Sequence, residues 1–164
     1  MQMHINTDPW GNKGPGTGRG QGMNNFDAVS VWPAIVRAYQ GIRAEAERAL
    51  KPHGIASLEE YDVLLELRRA ARPLTHWEIE ERTLLRQYQL SRLVERLVRK
   101  GLAERTVSND DGRARLIALT AKGRKVQKSA GNAYMAVLER KIAQRIGQDQ
   151  VTAVKSLLDR IAAD

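Results

Sequence analysis

Cysteine is absent from the 164 residues. That excludes disulfides, thiolate nucleophiles, thiol redox sensing and cysteine-ligated zinc. Aromatic residues are few, 5% of the chain with a single Phe, so a core drawn from the 42% of hydrophobic residues has to be mostly aliphatic. No apolar run approaches the roughly 20 residues of a membrane helix, and the first residues lack the apolar stretch of a signal peptide. The expectation is a soluble, cytoplasmic protein without a membrane partner. Catalytic patterns are missing as well. No phosphate-binding glycine loop follows a strand, no serine elbow appears, and Glu80 and Glu81 read as a solvated helix face. No catalytic residue and no cofactor is therefore assigned. The three histidines, His4, His53 and His76, form no i, i+4 pair, which argues against a metal site.

What the chain does have is positive charge. Its 27 Lys and Arg against 19 Asp and Glu give a formal net charge of +8. A domain this basic fits a polyanionic partner, because each phosphate neutralised releases counterions. Residues 1–24 read as a disordered tail: from Gly11 to Gly22 every second or third residue is glycine, with Pro15 among them. Such a segment buries too little to offset its ordering entropy.

Beyond the tail the pattern is helical. A first helix is expected from near Trp32 to Leu50, with Pro33 in its first turn and Pro52 and Gly54 ending it. Ser57 with Glu60, and Thr75 with Glu78, have the spacing of capping boxes and open a second and a short third helix. The third carries Trp77, Ile79 and Leu84. A fourth covers Gln87 to Lys100 and stops at Gly101. Strands Leu102–Val107 and Arg115–Leu119 flank a turn-rich tip, Ser108 to Gly112, and form a hairpin. Thr120 caps a long helix to about Arg145, Gly147 breaks it, and a last helix runs to Ala162 with Val151, Val154, Leu157, Leu158 and Ile161 in register. The fold class is mainly α with a small β-hairpin wing (α+β).

At 100° per residue, Leu90, Leu93, Val94, Leu97 and Val98 of the fourth helix share one arc, and Tyr88, Arg92, Glu95, Arg96 and Arg99 the other. Between Arg82 and Arg105 seven basic residues face two acidic ones. A short helix, a tight turn and a helix cationic on one face make a helix-turn-helix. The first half of its second helix, with Gln87, Tyr88, Gln89, Ser91 and Arg92, is where base edges are read: Gln pairs with adenine and Arg with guanine. The hairpin projects Arg113 at its tip with Arg115 close behind. Such an arginine can enter the adjacent minor groove, with Asp111 either holding it extended by a charge-assisted pair or serving, like Asp110, only the turn.

The run Asp111-Gly112-Arg113, then Leu119-Thr120 and Gly123, is similar to the wing signature of the multiple antibiotic resistance regulator (MarR) family. Leu90 to Val98 and Gly101 to Arg105 resemble that family's recognition helix and wing entry, and Glu60 to Leu64 its second helix. The resemblance covers about residues 30–160. It implies a homodimer in which the first and last helices intertwine, and binding as a transcriptional repressor to a pseudo-palindromic double-stranded DNA operator. By position, Ser91, Arg92 and Arg96 would face the major groove and Arg113, supported by Asp111, the minor groove. Arg86-Gln87-Tyr88-Gln89 departs from the usual small, hydroxyl-rich turn. The implied layout is a tail over 1–24, a dimerisation helix over 25–55, the winged helix-turn-helix over 56–120 and dimerisation helices over 121–164.

The resemblance further implies a cleft for a small aromatic or phenolic acid effector. Trp32, Tyr39, His53, Tyr61, His76, Trp77 and Tyr134 are its candidate lining, with Arg43 or Arg68 as partners for a carboxylate. The competing function is a basic protein-interaction module without sequence-specific DNA binding.

Overall fold

The computed structural model describes residues 25–107 and 115–163, so the glycine-rich tail predicted over 1–24 lies outside the described residues. The element order is α1 (Asn25–Leu50), a 3-10 turn (Lys51–His53), α2 (Leu58–Ala70), α3 (His76–Arg82), α4 (Gln87–Arg99), β1 (Ala103–Val107), β2 (Arg115–Leu119), α5 (Ala121–Leu138), a π-turn (Glu139–Ala143) and α6 (Gln148–Ala162). The chain divides within α1 into two compact units, Met1–Ile35 and Val36–Asp164. No described helix is long and apolar enough to cross a membrane.

Local sequence signals set most of the boundaries in the second unit. Thr75 and Glu78 form a complete capping box: the Glu78 amide donates to Thr75 Oγ1 at 3.2 Å, and the Thr75 amide donates to Glu78 Oε2 at 2.8 Å. Two orphan amides of α3 are thereby satisfied. Gly101 has φ +66°, the left-handed conformation that ends α4 without a Cβ penalty. Thr120 caps α5 by accepting from the Gly123 amide at 2.9 Å.

Leu50, Ile55, Leu64, Leu74, Ile79, Leu90, Leu97 and Ile117 are fully buried in one aliphatic core. Burying a side chain of this size stabilises by about 1.5–3 kcal/mol, so these positions dominate the packing of α2, α3 and α4 against the hairpin root. The strands pair antiparallel with Ala103 opposite Leu119 and Arg105 opposite Ile117. Leu74 adds a bridge to Ile117 from the other side, through hydrogen bonds of 2.9 and 2.7 Å.

Several expectations need correction. α1 begins at Asn25, so Pro33 sits inside it rather than in its first turn; a proline there removes one backbone hydrogen bond, which the remaining turns tolerate. Ser57 does cap α2, yet Glu60 does not return to the Ser57 amide. It accepts from the Ala56 amide at 2.9 Å instead, because two cations hold its carboxylate. α3 carries Trp77 and Ile79 as expected, but it ends at Arg82, so Leu84 falls in the turn beyond it; Ile79 is its buried anchor, and Trp77 and Leu84 are exposed, at 68% and 104%. The long helix after the wing stops at Leu138 and widens into the π-turn, where both Arg140 and Lys141 reach Glu45.

Candidate nucleic-acid interface

α3, the turn Thr83–Arg86 and α4 are the helix-turn-helix. Thr83 fixes the turn: its hydroxyl donates to the Ile79 carbonyl at 2.9 Å, and Leu85 beside it is 8% exposed, an anchor in the core. The apolar arc of α4 is inside, with Leu90, Leu93, Val94 and Leu97 at 3% exposure or less. Gln87, Tyr88, Gln89, Arg92, Glu95 and Arg99 are exposed on the other face, and Ser91 and Arg96 are half-buried at its margin. Burial of one arc forces presentation of the other.

Hydrogen bonding refines the roles these side chains can take. The Oε1 of Gln89 accepts from the Arg86 amide at 3.1 Å, closing the first turn of α4. To pair with adenine through both atoms of its amide, Gln89 has to give up that bond. Arg96 leans inward, its Nε 3.1 Å from Oε1 of Glu60, whose Oε2 lies 2.6 Å from Lys100 Nζ. Glu60 is fully buried. Burial alone pushes its carboxyl up, but the Ala56 amide, Lys100 and Arg96 outweigh that and hold it below the usual carboxylate range. Lys100 also donates to the Gly54 carbonyl at 3.0 Å, tying the end of α4 to the turn before α2. Tyr88, Gln89, Arg92 and Arg96 line one shallow groove with Ser57 and Glu59 of the α2 entry. Arg115 is exposed at the start of β2. Asp111 and Arg113 lie outside the described residues.

The six aromatic and histidine candidates of the second unit do not line one groove. Tyr61 and Tyr134 meet, with ring centroids 5.0 Å apart and planes tilted by 49°. Both line a groove of about 560 Å³ between α2 and α5, with Asp62, Arg68, Arg69, Gln127 and Lys128 among its polar walls. Burial raises both phenols, and it raises Asp62 too, helped there by the Glu59 and Glu66 charges. The others lie elsewhere. His53 Nδ1 is 3.0 Å from Ser129 Oγ, Tyr39 accepts from Arg43 Nη1 at 2.9 Å on the exposed side of α1, and His76 and Trp77 belong to the first turn of α3. Trp32 belongs to the first unit and is 68% exposed. Arg68 donates to Gln127 Oε1 at 2.5 Å, and Arg43 pairs with Glu47 and Glu59. Periodicity alone did not single out Glu60, Lys100 or Gln127, because their partners are 36 to 59 positions away in the chain.

The described fold is a winged helix-turn-helix with helical extensions on both sides. Residues 53–114 match the family model described as MarR family. No curated protein matches the sequence significantly. Among solved structures, a mutant MarR from E. coli complexed with operator DNA superimposes with TM-score 0.75 at 22% identity, covering 84% of this chain and 96% of that one. AbsC, a MarR family transcriptional regulator from Streptomyces coelicolor, gives 0.76 at 17% identity over 87% and 96%. CouR from Rhodococcus jostii RHA1, bound to p-coumaroyl-CoA, gives 0.72 at 25% identity over 82% and 93%. Residues 53–114 are thus similar in sequence to the MarR family, and the described residues share the fold of solved MarR structures.

Proposed function

We propose that this chain is a transcriptional regulator, a ligand-responsive repressor, that binds duplex DNA as a homodimer. The observation that carries this is α4 itself. Four buried apolar residues press one face into the core and leave Gln87, Tyr88, Gln89 and Arg92 outward at the end preceded by a helix and a turn. With Ser91 and Arg96 these residues enter the major groove, while Asp111, Arg113 and Arg115 of the wing serve the minor groove and its phosphates. The MarR relative solved with operator DNA supports the same mode.

Dimerisation falls to the terminal helices, residues 25–55 and 121–164, around a DNA-binding segment over 56–120, with residues 1–24 as a leader. In α6, Val154, Leu157, Leu158 and Ile161 are 38–65% exposed along one stripe. A stripe of this kind marks an interaction surface, and a second copy covers it.

The effector site is the groove between α2 and α5. Its two tyrosine rings suit an aromatic ligand, and Arg68, Arg69 and Lys128 an acidic one. CouR bound to p-coumaroyl-CoA supports an aromatic ligand carrying negative charge. The test is selection of duplexes from a random pool, then a gel shift at about 50 mM salt with and without phenolic acids. A single enriched palindromic site released by one such acid is the expected result. Failure to retain any duplex favours an acidic protein as the partner of the basic face.

A further inference from the structure

Glu60 is the one fully buried carboxylate among the described residues, and it faces the recognition helix. It engages Arg96 through Nε alone. The two terminal nitrogens of that guanidinium have no protein partner among the described residues, and the side chain is 42% exposed. Arg96 lines the same groove as Tyr88, Gln89 and Arg92, one helical turn beyond Arg92. Glu60 cannot itself follow a change in Arg96, because its other oxygen is fixed by Lys100 and the Ala56 amide.

We propose that Glu60 is a positioning residue for base recognition: it grips Arg96 at Nε from behind and turns the two terminal amino groups toward the duplex, in line with Gln89 and Arg92. A free arginine has many rotamers, and ordering it on binding is costly. One already held by a carboxylate presents a planar pair of donors in a fixed direction, the geometry that bidentate recognition of a base edge or phosphate requires. Charge is not what Glu60 contributes. A buried anion behind the helix lowers the positive potential there, so its benefit must lie in discrimination between sequences rather than in affinity for any duplex. This inference rests on DNA binding by α4.

The experiment compares the duplex selected by the wild-type protein with a scrambled duplex of equal length and composition. Glu60→Gln keeps the shape and loses the charge-assisted grip. It is expected to reduce the ratio of the two affinities about tenfold, with the scrambled duplex bound as well as before or better. A purely structural defect lowers both affinities together and would overturn the assignment. Arg96→Ala should lose the same discrimination, and Glu60→Gln added to it should change nothing further; an additional loss in the double variant defeats the proposal. Arg96→Lys covers the case in which Glu60→Gln does not fold. It keeps the charge without the fork, so discrimination should drop to the Arg96→Ala level, and wild-type discrimination there defeats the proposal. Wild-type protein that binds neither duplex refutes DNA binding itself, whereas discrimination unchanged by Glu60→Gln refutes only the role of Glu60.

Discussion

Lys100 Nζ lies 2.6 Å from Glu60 Oε2, joining the last turn of α4 to a carboxylate with no solvent exposure. The cations of this cluster are 32% and 42% exposed, so the burial is one-sided. Removing both cations with Lys100→Met and Arg96→Met leaves an uncompensated buried charge and should cost about 3–5 kcal/mol. Glu60→Met leaves two cations free to extend into water and should cost clearly less. Urea denaturation of the two variants measures the asymmetry. Equal losses would mean that the carboxylate is not desolvated in solution.

Acid should unfold the protein over a defined window. Lys141 and then Arg140 hold the Glu45 carboxyl down at about 2, and Arg72 followed by the Thr75 amide does the same for Glu78. Glu60 is also lowered. A carboxyl whose folded value lies below its unfolded value stabilises the fold above the unfolded value, about 4.3, and loses that contribution as pH falls through the folded value. Asp62, raised chiefly by burial, works in the opposite sense. Glu59 is lowered as well, so four carboxyls oppose one, and the urea midpoint should fall most steeply between about pH 4.5 and 2, after a smaller decline that sets in below about pH 6.5 because burial lowers the His76 imidazole. Glu45→Gln should make that fall shallower, which a pH series of melts can check.

Ala71 ends α2 at φ +54°, the left-handed region that disfavours a Cβ. Ala71→Gly removes a penalty of about 1–2 kcal/mol and adds about 0.5–1 kcal/mol of unfolded-chain entropy. The net expectation is a gain of about 0–1.5 kcal/mol, visible as a higher melting temperature. A lower one would show that the helix ends differently in solution.

Two arginines separate the kinds of DNA contact. Arg92→Ala should relax base preference within the half-site and weaken selected duplexes by about 1–3 kcal/mol. Uniform weakening of all duplexes would make it a phosphate contact. Arg113→Ala should weaken binding by a similar amount, about 1–3 kcal/mol, and lower the preference for A·T flanking the half-site. Binding to permuted flanks measures it.

Leu157→Glu with Leu158→Glu places two charges on the exposed apolar stripe of α6. Sedimentation should give dimers for the wild type and monomers for the variant, and palindrome binding should fall to the level of a single half-site. A dimer that persists would move the interface away from α6.

The parts legible in the sequence were those decided within a turn or two of chain. The Thr75 box, the Gly101 terminator and the apolar arc of α4 each depend on neighbours three to seven positions off, and each stands as read. The β2 strand kept its predicted bounds because alternation and the flanking Thr120 cap agree. What escaped depends on distant chain. Glu60 had the spacing of a capping residue, and only the packing of α4 onto α2 brings Lys100 and Arg96 to it. Tyr61 was one of seven ring-bearing candidates, and only the α2–α5 contact pairs it with Tyr134 and leaves Trp77 outside. The Leu74 bridge and the π-turn at Glu45 carry no local pattern at all.

Gly123, in the first turn of α5, packs so closely on the entry to β1 that an added Cβ would stand 1.9 Å from the Leu102 carbonyl oxygen. Thr120 stitches the same place, its hydroxyl donating to the Gly101 carbonyl at 2.7 Å and its amide to that of Leu102 at 3.2 Å. No hinge fits in a joint this tight. Strand and helix form a single lever arm, and whatever tilts α5 swings the base of the hairpin by the same rotation.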